Sequence, residues 1–365
     1  MKRLSSFLII NPYGIGDVLY STPLIRNIHN AFPEARIYYL CNKRTDPVIK
    51  NHPLIYKTFV YERDDFVAIK QRSRWRYYRA FLSFIYAIRK ERIDVACDLS
   101  LHSLFSVISL AAGIGRRVGL SYKKRGFLLN GKVPFSGFNE KHVSDYYLDV
   151  LACIDIPVTT RLLEVFPDNV SREWLPGFLK EQKIADNAYV IGITPCGGQA
   201  FGKDARVRRW PAEYFSQLIQ ELIAKYHAKI FLFAGPKEKD DVQTICSALP
   251  PVMQEQCIDL TDCTLQELIA LVDRCDLFIG NDTGPLRFAN ARNKKVIAFF
   301  GPYDEKAYGL YPYDHMLHRN LSKPMPCRPC YKQFRLRPCV HDLECLTTIS
   351  VDEVLHAAEE LLSIK

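Results

Sequence analysis

The residues best suited to chemistry lie in the run Gly280-Asn281-Asp282-Thr283-Gly284-Pro285-Leu286-Arg287. The apolar segment Leu277 to Gly280 predicts a strand, and Pro285 stands near the first position of a following helix, where a missing N–H costs nothing. A strand that runs into a helix aims the free N–H groups of the first turn, and the positive end of the helix dipole, beyond the strand's carboxyl end. Asp282 and Thr283 add a carboxylate and a hydroxyl there, and Gly284 allows close approach of backbone to a ligand. The expected guest is a nucleotide diphosphate. Thr194-Pro195-Cys196-Gly197-Gly198 ends another predicted strand, and the stretch after it supplies Lys203, Arg206, Arg208 and Arg209. Cations opposite a diphosphate neutralise the charge that develops as a bond to it breaks, although a basic loop also serves solvation alone. Glu238, in the turn Gly235-Pro236-Lys237-Glu238, could hold ribose hydroxyls or simply face water.

A second candidate site opens the chain. The strand Phe7 to Ile10 leads into Asn11-Pro12-Tyr13-Gly14-Ile15-Gly16-Asp17. Asp17 follows two glycines at the strand's carboxyl end, where a carboxylate can act as general base towards a hydroxyl or cap the next helix. Asn11 and Tyr13 line the same turn as candidate acceptor contacts. Arg116 with Arg117, and Lys123, Lys124 and Arg125 beside Tyr122, form a basic stretch suited to an anionic acceptor or to the membrane surface that carries it. Residues 70–92 interleave Arg and Lys with Trp75, Tyr77, Tyr78 and Phe81, which suits either an interfacial helix or a soluble one with an aromatic core face.

Four of the 12 cysteines, Cys327, Cys330, Cys339 and Cys345, follow a C-x2-C-x8-C-x5-C spacing. Four thiolates so spaced can hold zinc or iron tetrahedrally; packed free thiols or a reactive surface pair are the alternatives. A metal here would pin the loop 324–346, and catalysis does not require it.

These sites need a scaffold, and the chain alternates predicted strands and helices throughout. Strands are expected at 7–10, 36–40, 57–61, 95–99, 189–194, 229–234, 277–280 and 296–300, with helices at 18–32, 72–90, 211–226, 265–274 and 286–292. Such alternation implies α/β architecture with parallel sheets covered on both faces. The stretch 162–181, with Pro167, Pro176 and Gly177, reads as a linker. Two doubly wound domains are expected, 1–178 and 179–365, with both glycine-containing turns at a cleft between them. A composition of 48% hydrophobic and 24% charged residues suits an enzyme with a large core. The charge of +9 favours anionic partners, but no nucleic-acid motif accompanies it. With no apolar run of membrane-spanning length and no leader cleavage site, the cytoplasm is the expected location, with peripheral contact at the inner face of the membrane.

The opening Gly14-Ile15-Gly16-Asp17-Val18-Leu19-Tyr20-Ser21-Thr22-Pro23, the Arg208-Arg209-Trp210-Pro211 helix start and the Asp282-Thr283-Gly284 turn resemble glycosyltransferase family 9, which contains the bacterial ADP-heptose:lipopolysaccharide heptosyltransferases. The resemblance implies a GT-B fold of two Rossmann-like domains, with acceptor bound by the first and nucleotide sugar by the second. It implies inverting transfer of heptose from ADP-heptose to an anionic lipopolysaccharide inner-core acceptor, with Asp17 as base. Thr194, Arg208, Glu238, Asp282, Thr283, Gly284 and Arg287 are then donor residues, and Asn11, Tyr13, Arg116, Lys123 and Lys124 acceptor residues. Four positions depart from the family pattern: Arg208 replaces a phosphate-contacting lysine, Arg287 replaces a histidine that could exchange protons, Lys295 replaces a common proline, and Glu305 follows Asp304 where the family often has proline. These departures keep open another nucleotide sugar, a protein acceptor, or a non-catalytic binding protein.

Overall fold

The computed structural model describes residues 4–198 and 205–364. They form two compact units, Met1–Phe138 with Val143–Glu164, and Asn139–His142 with Val165–Lys365. The first unit holds six parallel strands: β1 (Ser6–Ile10), β2 (Arg36–Cys41), β3 (Ile55–Val60), β4 (Val95–Asp98), β5 (Arg116–Tyr122) and β6 (Gly131–Phe135). Their spatial order is β3-β2-β1-β4-β5-β6. The second unit holds β7 (Val190–Thr194), β8 (Lys229–Leu232), β9 (Cys257–Asp259), β10 (Leu277–Asn281), β11 (Val296–Phe300) and β12 (His318–Ser322), in the order β12-β11-β10-β7-β8-β9. Counted from each unit's own first strand, the two orders are identical. Each sheet reverses its winding between its first and fourth strands, β1 beside β4 and β7 beside β10. At such a switch point the loops diverge and leave a crevice beyond the carboxyl ends of the strands.

The central strands are continuous apolar runs. β1, β7, β10 and β11 are buried at every position because helices cover both faces of their sheets. The interior of the second unit is built on Trp210, Phe215, Phe299 and Leu346, all nearly inaccessible, and the Trp210 indole donates to the Ile349 carbonyl at 2.9 Å. Each such side chain contributes about 1.5–3 kcal/mol by leaving water.

Several elements differ from the sequence expectation for identifiable reasons. The helix expected over 18–32 is two helices, Ile15–Tyr20 and Thr22–Ala31, because Pro23 in the first turn of the second removes a donor. The helix expected from 72 is likewise a pair, Arg63–Arg72 and Arg74–Lys90, broken at Ser73, whose extended backbone (φ −163°) starts the second and whose hydroxyl accepts from Arg76 N. Most of the expected linker is the helix Asn169–Glu181. Asp168 caps it by accepting from Ser171 N at 2.8 Å, and it lies against the helix Leu265–Val272, so Pro176 is tolerated inside it. The chain therefore passes from the first unit to the second between Glu164 and Val165, ahead of the boundary expected at 178.

Candidate active site

In the first unit, the turn after β1 enters the helix Ile15–Tyr20 with Asp17 in its first turn. The Asp17 carboxylate is half-buried and accepts from Gly14 N at 3.2 Å, so it closes the helix start from inside rather than serving as the N-cap itself. Buried Asn11 donates from Nδ2 to the Asp17 carbonyl at 2.9 Å and fixes the turn from below. The Tyr13 hydroxyl donates to the Ser100 carbonyl, which ties the β1 turn to the β4 turn across the switch point. Burial, with Asp17 and Asp98 nearby, pushes the Tyr13 phenol above its usual pKa, so it stays a donor at neutral pH.

A second carboxylate stands here that the sequence reading passed over. Asp98 ends β4, pairs in register with Ile10, and accepts from Ser100 N (3.0 Å), Ser100 Oγ (2.5 Å) and Ser106 Oγ (2.8 Å). Burial raises its pKa despite those donors. The signal was a polar Asp98-Leu99-Ser100 end to an apolar strand, the same pattern that marked Asn281-Asp282.

The basic candidates of this unit do not gather together. Arg116 and Arg117 stand at the amino end of β5, opposite the crevice, and their guanidinium groups donate to the carbonyls of Cys153, Leu128 and Ile114. Arg116 is thereby engaged in holding the strand's lower end. Lys123 and Lys124 follow the carboxyl end of β5, are exposed, and adopt positive φ (44° and 64°). The Lys123 ammonium lies 5.0 Å from the Tyr122 ring centre.

The second unit brings its candidates together. Gly280, next to last in β10, has φ +155°, and a Cβ there would lie 2.3 Å from the Thr194 carbonyl oxygen, so only glycine lets β10 close on β7. Asn281, buried, accepts from Trp210 N at 2.9 Å and donates to the Pro195 carbonyl at 2.7 Å, binding the β7 and β10 turns to the Trp210 helix start. The Thr194 and Thr283 hydroxyls meet at 2.8 Å. Gly284 begins the helix Gly284–Ala291.

Asp282 lies between two arginines. Its Oδ2 is paired with Arg208 Nη2 and its Oδ1 with Arg287 Nη2, and all three side chains are buried. Burial alone would raise the carboxyl pKa, but the two guanidinium groups outweigh it and hold the group below its usual range. Arg287 also donates to the carbonyls of Gly309 (2.6 Å) and Tyr308 (2.5 Å), and Arg208 lies 4.6 Å above the Tyr303 ring. His142, buried and stacked on Tyr311, is pushed down to about 3. Asp282 and Arg287 stand at the start of the helix Gly284–Ala291, where the helix dipole favours an anion. Arg208 is expected on the donor phosphates and Arg287 on a phosphate or a sugar hydroxyl; in the structure both pair with Asp282.

Glu238 is buried at the turn after β8 and accepts from Gly235 N (3.0 Å) and Gly198 N (3.1 Å), joining the β7 and β8 turns. Arg209 pairs with Asp241 at 3.0 Å, Arg206 is exposed, and Lys203 lies outside the described residues.

Cys327, Cys330, Cys339 and Cys345 all line one cavity of about 20 Å³, room for about one water or ion. Among the described residues, however, no group of three or more His, Cys, Asp or Glu side chains is arranged to hold a metal ion. The four thiols of the expected site share the lining of this cavity. Cys330 Sγ donates instead to the Cys327 carbonyl at 3.4 Å, and burial pushes the Cys345 thiol up to about 11. Arg328 fastens this loop to the end of β11 by donating to the Gly301 carbonyl (2.6 Å) and to Glu305 (2.9 Å). Tyr331 packs at 4.6 Å on Tyr303, the ring beneath Arg208.

The family model for glycosyltransferase family 9 (heptosyltransferase) matches residues 81–341. Lipooligosaccharide heptosyltransferase 2 of Haemophilus influenzae is 28% identical over 306 residues, 81% of this chain and 83% of that protein. Among solved structures, a glycosyl transferase family 9 protein from Veillonella parvula aligns with TM-score 0.78 at 21% identity, covering 98% of this chain and 97% of that one. The E. coli ADP-heptose LPS heptosyltransferase II aligns with TM-score 0.74 at 20% identity over 98% of both chains. The dodecameric iron-containing heptosyltransferase TibC aligns with TM-score 0.54 at 13% identity, covering 98% of this chain and 77% of that one. The structures share the fold.

Proposed function

The chain belongs to glycosyltransferase family 9, the heptosyltransferase family, and from that premise we propose that it transfers heptose from ADP-heptose to a lipopolysaccharide inner-core acceptor with inversion at the anomeric carbon. The fold is the two-unit α/β architecture of GT-B transferases. The observation that carries the donor half is the buried Arg208–Asp282–Arg287 cluster, set beside the Gly284 helix start at the second unit's switch point.

In this reading the donor diphosphate lies against the helix start and the Thr194–Thr283 hydroxyl pair, with Glu238 towards the ribose. The acceptor hydroxyl approaches Asp17, with Asn11, Tyr13, Lys123 and Lys124 around it. Asp17 takes the hydroxyl proton as the oxygen attacks the anomeric carbon. The bond from that carbon to the diphosphate oxygen breaks, and its electron pair leaves with ADP, whose added charge the guanidinium cluster and helix dipole stabilise. The chemistry is drawn with no cofactor. The Cys327, Cys330, Cys339 and Cys345 thiols, which line one cavity, would hold a structural zinc or iron there. A metal there would stiffen the loop behind Tyr303. Metal analysis of anaerobically purified protein tests this, and less than about a tenth of an equivalent of zinc plus iron would rule it out.

Among the described residues no helix is long and apolar enough to cross a membrane. A lipid-linked acceptor places the enzyme in the cytoplasm, peripherally at the inner face of the membrane.

Thermal stabilisation by ADP, UDP, GDP and ADP-heptose at matched concentrations, followed by transfer to heptose-deficient lipopolysaccharide, tests the reading. Selective stabilisation by the adenine pair with product formation supports it. Arg287, a fixed cation in place of the family's histidine, favours a different nucleotide sugar as the second reading, and stabilisation by UDP or GDP alone would select that one. No shift with any nucleotide would mark a non-catalytic protein.

A further inference from the structure

The helix Arg74–Lys90 of the first unit carries an outer face that its own unit does not cover. Its inner face places Ile85 and Ile88 in the core, with Phe81 and Phe84 packed against it. Outward stand Trp75, Tyr78, Leu82 and Tyr86, which are 75%, 52%, 63% and 67% exposed. At the helical rotation per residue, Trp75, Leu82 and Tyr86 fall within an arc of about 40°, with Arg79 and Arg89 at its two edges. Single exposed apolar residues are ordinary, but four in one stripe are not. The neighbouring helix Ser103–Ala111, joined by Arg89 Nη1 to the Ala111 carbonyl at 3.5 Å, adds exposed Val107 and Leu110.

Charge decides what this face meets. The 17-residue helix contains Arg74, Arg76, Arg79, Arg89 and Lys90 and no acidic residue. Exposed Lys70 and Arg72 precede it. Of the nearby acids, Asp64 and Asp65 stand in the first turn of the preceding helix, which folds back so that Phe66 packs on Phe81 and Phe84, and they are outnumbered by the basic residues; Glu91 is taken up by Lys57 at 2.7 Å and the Tyr38 hydroxyl at 3.0 Å. A second copy of this face would bring like charges together.

We propose that this helix docks the enzyme on an anionic bilayer, lying in the interface with its aromatic stripe at headgroup depth and its guanidinium groups on lipid phosphates. The inference deepens the location given above, and its test reads binding without turnover, so the two fail separately. Full-length protein is sedimented with vesicles of phosphatidylglycerol and phosphatidylethanolamine in equal parts, or of phosphatidylcholine alone. Binding is expected to the first only, to weaken with added salt, and to blue-shift an emission component absent from the Trp75→Phe variant. The variants Leu82→Gln with Tyr86→Gln, and Arg79→Glu with Lys90→Glu, should each lower vesicle affinity at least about tenfold. Because these side chains are exposed, the thermal midpoint and ADP binding should stay at parent values, which shows the variants are folded. Equal binding to both vesicle types, or unchanged binding by both folded variants, overturns the proposal. So does self-association of the parent that Leu82→Gln abolishes, which would assign the face to a second copy.

Discussion

The two units wind their sheets in the same order, and the turns at their switch points carry aspartates in different settings, Asp17 in the first helical turn after β1 and Asp282 directly after β10. Asp17 is half-buried and accepts from the Gly14 N–H at 3.2 Å. Asp282 is buried and gripped by two guanidinium groups. In the proposed reaction the first takes a proton from the incoming hydroxyl. The second is held ionised between two cations. Asp282 follows the fourth strand of its unit, so its counterpart by strand order is Asp98, and what each carboxylate can do depends on its burial and its partners.

This contrast yields predictions of decreasing size. Asp17→Asn keeps an oxygen for the Gly14 N–H and loses the base, so turnover should fall about 10²–10⁴-fold while stabilisation by ADP is retained. A parallel loss of nucleotide binding would remove the division of labour. Asp282→Asn leaves two buried guanidinium groups without their counter-charge and should lower stability by about 3–5 kcal/mol in chemical denaturation. A cost below about 1 kcal/mol would mean that solvent or another group already screens the pair. Gly280→Ala forces a Cβ against the Thr194 carbonyl oxygen at a φ that alanine resists, and should cost about 1–3 kcal/mol without changing the Asp17 side.

Acid should act most strongly on the second unit. His142 and His318 are buried and pushed from 6.5 to about 3 and about 4, so the unfolded chain binds protons below 6.5 that the native state refuses. Stability should therefore fall from pH 6.5 towards pH 4, by about 1.4 kcal/mol per pH unit for each ring. Asp282 is depressed below its ordinary 3.8, and its own contribution is lost only under that value. His52 of the first unit shifts downward as well, but Glu164 on its ring opposes the change. His142→Asn should flatten the slope, and an unchanged slope would move the titration elsewhere.

Central strands were legible in the sequence because burial on both faces demands continuous apolar runs. Val296–Phe300 was read to the residue and Ser6–Ile10 to within one. β5, β6, β9 and β12 were not anticipated: β5 begins with two arginines, and β6, β9 and β12 carry partly exposed residues that break the run. The Asp282-Thr283-Gly284 and Gly14-to-Asp17 turns stood out because glycine, proline and a carboxylate after an apolar run mark a strand-to-helix turn. Asp98 closes a strand in the same way but lacks the glycine, and it was missed.

Sequence alone determined the βα alternation and the family, since those depend on local period and turn residues. Tertiary structure alone decided what each charged residue does. Arg116 and Lys123 are seven positions apart in one basic stretch, yet the strand between them carries one to the amino end of the sheet and the other to the crevice end. Arg208 and Asp282 are 74 positions apart and meet only because β7 and β10 are neighbours. Partnership between charges is a property of three-dimensional distance and burial, which no local pattern encodes.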